Sequence, residues 1–220
     1  LGRGGHCVQA SIRGGGEFCT RWLDAGRYGG QRLAHDDFAA VAADLVRRGV
    51  TRPQRIAAEG GSNGGILISN MLTRYPDRFG ALFCTIPLLD MRRFSKLLAG
   101  ASWMAEYGNP DIASEWKFIR TFSPYHNVGQ DTKYPRTLLT TSTRDDRVHP
   151  GHARKMAAKL REQGHDVRYY ENTEGGHAAA ADHEQAAFVS ALTFEFLWQS
   201  LDQTAASTPR RRDDADGSTA

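Results

Sequence analysis

Six residues, Gly60-Gly61-Ser62-Asn63-Gly64-Gly65, constrain this chain more than any other stretch. They contain a G-x-S-x-G pattern. The apolar lead-in Arg55-Ile56-Ala57-Ala58 reads as a strand, and residues 66–75 carry a helical pattern that stops at Pro76. A serine between a strand and a helix, with glycines on both sides, is the sequence of a sharp turn. Its small neighbours let the backbone bend, and its hydroxyl is pushed out of the fold. A turn of that kind presents a nucleophile, so the predicted chemistry is the making and breaking of acyl bonds.

The surrounding sequence has the alternation such a turn requires. Residues 8–12, VQASI, read as a strand that Gly14-Gly15-Gly16 ends. Asp36 or Asp37 caps a helix with apolar positions Phe38, Val41, Ala42, Leu45 and Val46, closed by Gly49. Residues 81–86 form a continuous apolar run, as in a strand covered on both faces. Strands are predicted at 137–141 and 166–170, a helix at 151–163, and a last helix opened by the capping pair Asp182 and Gln185. Strands alternating with helices predict an α/β domain over residues 1–202, a mainly parallel sheet with helices on both faces. The irregular segment 87–134 is suited to a binding site. Residues 203–220 are polar and small, and are expected to be disordered.

Composition narrows the partners. With 28 basic and 25 acidic residues the net charge is +3, too balanced for a nucleic-acid surface or an anionic membrane. The basic run Arg210-Arg211-Arg212 meets Asp213 and Asp214 at once and reads as solvated tail. No apolar run approaches the ~20 residues that span a bilayer. Cys7, Cys19 and Cys84 have no paired spacing, which favours a reducing compartment such as the cytoplasm, with the periplasm or secretion left open. The histidines lack metal-site spacing and no glycine run has the lysine of a phosphate loop, so neither metal nor cofactor is expected.

A serine hydroxyl needs a base, and the base needs a carboxylate to hold its tautomer. In sheets of this kind the order along the chain is Ser, then Asp or Glu, then His. Two loops after predicted strands supply the later members. Residues 144–150 hold Asp145 and Asp146, and residues 174–177 end in His177. Ser62 is read as nucleophile, His177 as general base and acid, and Asp145 as the orienting carboxylate, with Asp146 a rival on spacing alone. His149 and His152 are followed by a helix start, where surface roles are common, and His183 is read as lying on the first turn of the last helix. The backbone N–H of Asn63 is the expected oxyanion donor. No second donor stands out.

IRGGGEF (12–18), GGSNGG (60–65), DDRVHP (145–150) and GGH (175–177) together resemble the catalytic domain of the prolyl oligopeptidases, a family of serine peptidases with the α/β-hydrolase fold. The blocks come in the family's order across nearly all of residues 1–202. The resemblance favours Asp145 over Asp146. It implies that Arg147 hydrogen-bonds the substrate backbone, where the alternative is a surface ion pair with Asp145 or Asp146. It implies that Trp103 and Tyr107 line a proline pocket completed by Leu88 and Val148. A flat indole suits a flat pyrrolidine ring, although two aromatics four residues apart also suit plain helix packing.

The implied substrates are short proline-containing peptides cut on the carboxyl side of proline. Oligopeptidase B enzymes, which prefer basic residues, share SPYHNV (123–128) but lack DDRV. An esterase or acylaminoacyl peptidase on the same fold, and an impaired fragment acting as a binding module, are the alternatives. The family also implies an N-terminal β-propeller, and a tyrosine upstream of Leu1 that gives the second oxyanion hydrogen bond. Both are expected in a longer parent chain. Alanine at 178, where glycine is usual, is expected to narrow the backbone choices beside His177.

Overall fold

A computed structural model describes residues 5–202. The expected tail at 203–220 lies outside them.

Four parallel strands make one sheet in the order β1-β2-β3-β4: Ala57–Gly61, Ala81–Thr85, Arg136–Ser142 and Val167–Asn172. The register sets Gly61 beside Thr85, Thr85 beside Thr140, and Ser142 beside Asn172. All strands run the same way, so their carboxyl ends share one edge, where open α/β sheets bind ligands. Ser62 follows β1, Leu88 follows β2, Asp145 follows β3 and His177 follows β4.

Helices cover both faces, as expected. On one face α2 (Gln31–Arg47), α3 (Asn63–Arg74) and α7 (Gly151–Glu162) contribute Ala39, Met71, Leu72, Met156 and Leu160 to a core with Leu82 and Leu139. On the other face α8 (His183–Asp202) places Phe196 against Ala81, Phe83 and Leu138. Strand β2 is buried almost throughout, which explains its unbroken apolar sequence.

The segment after β2 is the least regular, as predicted. Short 3-10 turns at Phe94–Lys96 and Leu98–Trp103 lead into α4 (Met104–Tyr107), α5 (Ala113–Ile119) and α6 (Pro124–Asn127). Phe94, Tyr107 and Ile119 from these elements join Ile66 of α3, Leu88, Met91, Phe122 and Val148 in a second apolar cluster.

Two expectations are corrected. Residues 8–12 form no strand: they pair with no described strand, and Val8 is 54% exposed. A ladder partner, not propensity, decides whether such a segment becomes a strand. Ile12 instead accepts the indole N–H of Trp22, on the short helix α1 (Thr20–Ala25). Helix α2 begins at Gln31, ahead of the predicted caps. Its buried stripe starts with the polar residues Gln31 and His35, invisible to an apolar pattern. Asp36 and Asp37 are not caps. Asp37 pairs with Arg13, and Asp36 accepts from Arg74 and Tyr75. The predicted stop holds, with Gly49 at φ 71 just past the last turn.

Candidate active site

The elbow is built by steric need. Ser62 lies at φ 54, ψ −113, a conformation a non-glycine residue holds only under constraint. Its N–H donates to Thr85 O at 3.0 Å, and its carbonyl accepts from Gly65 N at 3.0 Å and Leu88 N at 3.2 Å. Gly60 and Gly65 are required for close approach, not for unusual torsion. A Cβ on Gly60 would lie 2.5 Å from Gly64 O, and one on Gly65 would lie 2.5 Å from Pro87 Cβ. At Gly64 nothing lies within 4 Å.

Asp145 and His177 meet across the loops that follow β3 and β4. His177 Nδ1 is 3.0 Å from both Asp145 Oδ1 and Oδ2. The carboxylate side chain is 0% exposed and the imidazole 19%. Asp145 Oδ1 also accepts the backbone N–H groups of Arg147 and Val148, each at 2.9 Å. Those two donors solvate a buried charge that has no lysine or arginine partner among the described residues. A carboxylate at this contact is suited to hold an imidazole proton on Nδ1, which would turn the Nε2 lone pair outward. Asp146 is exposed, so the structure separates the two aspartates that spacing could not. Ser62 Oγ makes no hydrogen bond to His177 among the described residues. Catalytic hydrogen bonds are commonly long before substrate arrives.

The predicted pocket residues fall in one apolar cluster. Leu88, Val148 and Tyr107 are buried, and Trp103 packs on them half-exposed. Tyr107 is 2% exposed, meets Phe94 edge-on at 5.7 Å, and donates its hydroxyl to Asn63 Oδ1 at 2.6 Å. It thus lies deeper than an open wall would. Arg147 is exposed and forms no ion pair with Asp145, Asp146 or any other described carboxylate, against the surface-pair alternative. A cavity of about 600 Å³ opens beside the elbow, between Arg13, Gln31, His35, Asn63 and Glu106. It touches none of Trp103, Tyr107, Leu88, Val148 or Arg147.

The rival histidines have other partners. His149 Nδ1 accepts Gly151 N at 2.9 Å. His183 is exposed on the first turn of α8. His152 is buried, against the surface role read for it, and its Nδ1 accepts Asp90 N at 3.0 Å. Burial pushes the His152 imidazole down to about 4, so it is the neutral acceptor that geometry needs.

Two supports were not read from the sequence. Asp90, 1% exposed, pairs with Lys155 and Arg93, and with His152 it ties the Leu88 segment to α7. A carboxylate inside the apolar run Pro87-Leu88-Leu89-Asp90-Met91 was the available signal. Asn172, 4% exposed at the end of β4, had none. The strain beside His177 falls on Ala179, at φ 66, and not on Ala178. Among the described residues no group of three or more His, Cys, Asp or Glu side chains could hold a metal ion, and no helix is long and apolar enough to cross a membrane.

A strained serine after the first of these parallel strands, with an aspartate after the third and a histidine after the fourth, is the layout of an α/β-hydrolase. The chain belongs to the prolyl oligopeptidase family, whose model matches residues 1–204. An uncharacterised peptidase of Sinorhizobium fredii is 48% identical over 201 residues, covering 91% of this chain and 28% of that protein. A prolyl endopeptidase of Elizabethkingia miricola is 36% identical over 197 residues, covering 88% and 28%. Among solved structures, a post-proline cleaving enzyme from Rickettsia typhi matches with a TM-score of 0.85 at 35% identity, over 87% of this chain and 28% of that one. The chain therefore spans about 28% of the length of these relatives.

Proposed function

We propose that these residues form the catalytic part of a serine peptidase that cuts short peptides on the carboxyl side of proline. Ser62 Oγ attacks the scissile carbonyl carbon and passes its proton to His177 Nε2. Asp145 holds the resulting imidazolium through Nδ1–H. The carbonyl oxygen, now an oxyanion, accepts from Asn63 N–H. His177 then gives its proton to the leaving amine, and the acyl group stays on Ser62. Water, deprotonated by His177, releases the acid and restores the serine.

The observation that carries this reading is the contact of His177 Nδ1 with both oxygens of a buried Asp145, on the strand edge that also carries the strained Ser62. Post-proline cleavage rests on the apolar cluster beside the elbow. A pyrrolidine ring against Trp103, Leu88 and Val148 gains area burial without asking for a polar partner. The exposed, unpaired Arg147 beside it offers its donor fork to a substrate carbonyl and repels a basic side chain. The relatives named for proline cleavage support the same choice.

N-blocked dipeptide amides with proline, alanine or arginine before the scissile bond test this reading, alongside the matching simple ester. Proline amide turnover at least tenfold above the arginine amide is expected. Equal turnover of the amides would remove the specificity, and ester cleavage without amide cleavage would point to an esterase.

A further inference from the structure

We infer that Asn172 is a positioning residue that brackets the His177 loop and ties it to the Asp145 loop. The inference rests on the catalytic reading above, which assigns His177 and Asp145 their roles.

The loop from Thr173 to Asp182 has no ladder or helix of its own to hold it. It is tight. A Cβ on Gly175 would lie 3.0 Å from the backbone of Ala179, and Ala179 N donates to Gly176 O at 3.0 Å. It is also strained, since Ala179 sits at φ 66. A strained turn keeps one geometry only when other bonds over-determine it.

Asn172 supplies those bonds from both limbs. Its Oδ1 accepts Glu174 N at 2.9 Å and Gly175 N at 3.0 Å, fixing the limb that enters the turn. Its Nδ2 donates to Ala179 O at 3.3 Å, on the limb that leaves. The same Nδ2 donates to Gln185 Oε1 at 2.7 Å, joining the bracket to the first turn of α8. Gln185 in turn accepts Ala181 N at 2.9 Å and donates to Glu174 Oε2 at 2.8 Å. His177 lies midway between the anchored limbs.

The backbone of Asn172 completes the arrangement. Its carbonyl accepts Thr143 N at 2.8 Å, at the start of the loop that carries Asp145. One residue therefore sets the His177 loop through its side chain and meets the Asp145 loop through its main chain. A primary amide suits the task, because it alone offers an acceptor to two N–H groups and a donor to two oxygens. Leucine has similar bulk but neither function. Aspartate keeps the acceptor and turns the donor side into repulsion with Ala179 O.

The test uses two readouts, one of them independent of turnover. The first is the downfield proton resonance of His177 Nδ1–H, assigned by its loss in His177→Ala. The second is the second-order rate at which a fluorophosphonate labels Ser62, per folded molecule. Asn172→Leu should lose or broaden the resonance and label at least tenfold more slowly while remaining folded by circular dichroism. Asn172→Asp should fall between Leu and wild type, and Gln185→Ala should slow labelling about threefold. If Asn172→Leu fails to fold, Asn172→Asp and Gln185→Ala carry the test.

A folded Asn172→Leu with the resonance and rate of the wild type would overturn the inference and leave the proposed function standing. If Leu fails to fold, wild-type values in both Asn172→Asp and Gln185→Ala would do the same. Wild-type protein that never labels at Ser62 would instead sink the proposed function, and the resonance would still decide whether Asn172 positions His177.

Discussion

The hydroxyl of Tyr107 donates to Asn63 Oδ1 at 2.6 Å, joining the apolar cluster beside the elbow to the residue whose N–H is the proposed oxyanion donor. Burial, reinforced by the nearby charge of Glu106, pushes the phenol well above its ordinary range, so it remains a donor. Tyr107→Phe removes the donor and leaves Asn63 Oδ1 without it. A buried hydrogen bond of this kind contributes about 1 kcal/mol. If that energy is expressed at the transition state, acylation slows roughly fivefold. Steady-state kinetics on a proline amide should show the loss in kcat, with KM nearly unchanged. A change confined to KM would mean that Tyr107 only shapes the pocket.

The glycines of the elbow should respond differently. Gly65→Ala drives a methyl group into Pro87, and overpacking of that kind costs about 1–3 kcal/mol. Gly64→Ala meets open space. Thermal melts should therefore show a clear loss for the first and little change for the second. Equal loss in both would mean that backbone freedom, not contact, sets the need for glycine.

Ala179 holds a left-handed conformation that costs about 1–2 kcal/mol for an L-residue. Ala179→Gly relieves it, while the freer unfolded chain gives back about 0.4–1 kcal/mol. A net gain of about 0.5–1 kcal/mol should appear in urea denaturation. Destabilisation would mean that the loop relaxes by another route.

Two buried histidines set an acid limit on stability. Burial lowers His152 to about 4, and burial with the Arg74 charge lowers His35 to about 3. The unfolded chain takes protons near pH 6.5 that the folded state refuses, so falling pH favours unfolding. Stability should be flat above about pH 7 and fall from about pH 6.5 towards 4, by at most about 1.4 kcal/mol per pH unit for each histidine. Urea denaturation of His152→Gln against wild type across this range should show a shallower slope in the variant. Identical slopes would remove His152 from the account.

The sheet was legible because it is parallel and buried. Unbroken apolar runs such as residues 81–86 have one reading when helices alternate with them. The placing of Ser62, Asp145 and His177 after strands was legible because each strand could be read from its own sequence. Position after a strand is a property of sequence, but depth within a loop is not, and so Asp145 and Asp146 looked alike. Residues 8–12 misled because a strand needs a neighbour, and pairing cannot be read from the segment itself. Helix α2 was read short because Gln31 and His35 are polar residues on its buried stripe. Asn172 was invisible because its role lies in hydrogen bonds to backbone groups, and such bonds leave no pattern of residue types.

The central claim is that Ser62 is a nucleophile activated by the pair His177 and Asp145. Intact-protein mass spectrometry after treatment with a fluorophosphonate tests it most directly. The account predicts one adduct mapped to Ser62, none in Ser62→Ala, and strongly slowed labelling in His177→Ala and Asp145→Ala. A folded protein that stays unlabelled, or one that labels equally in Ser62→Ala, would contradict it.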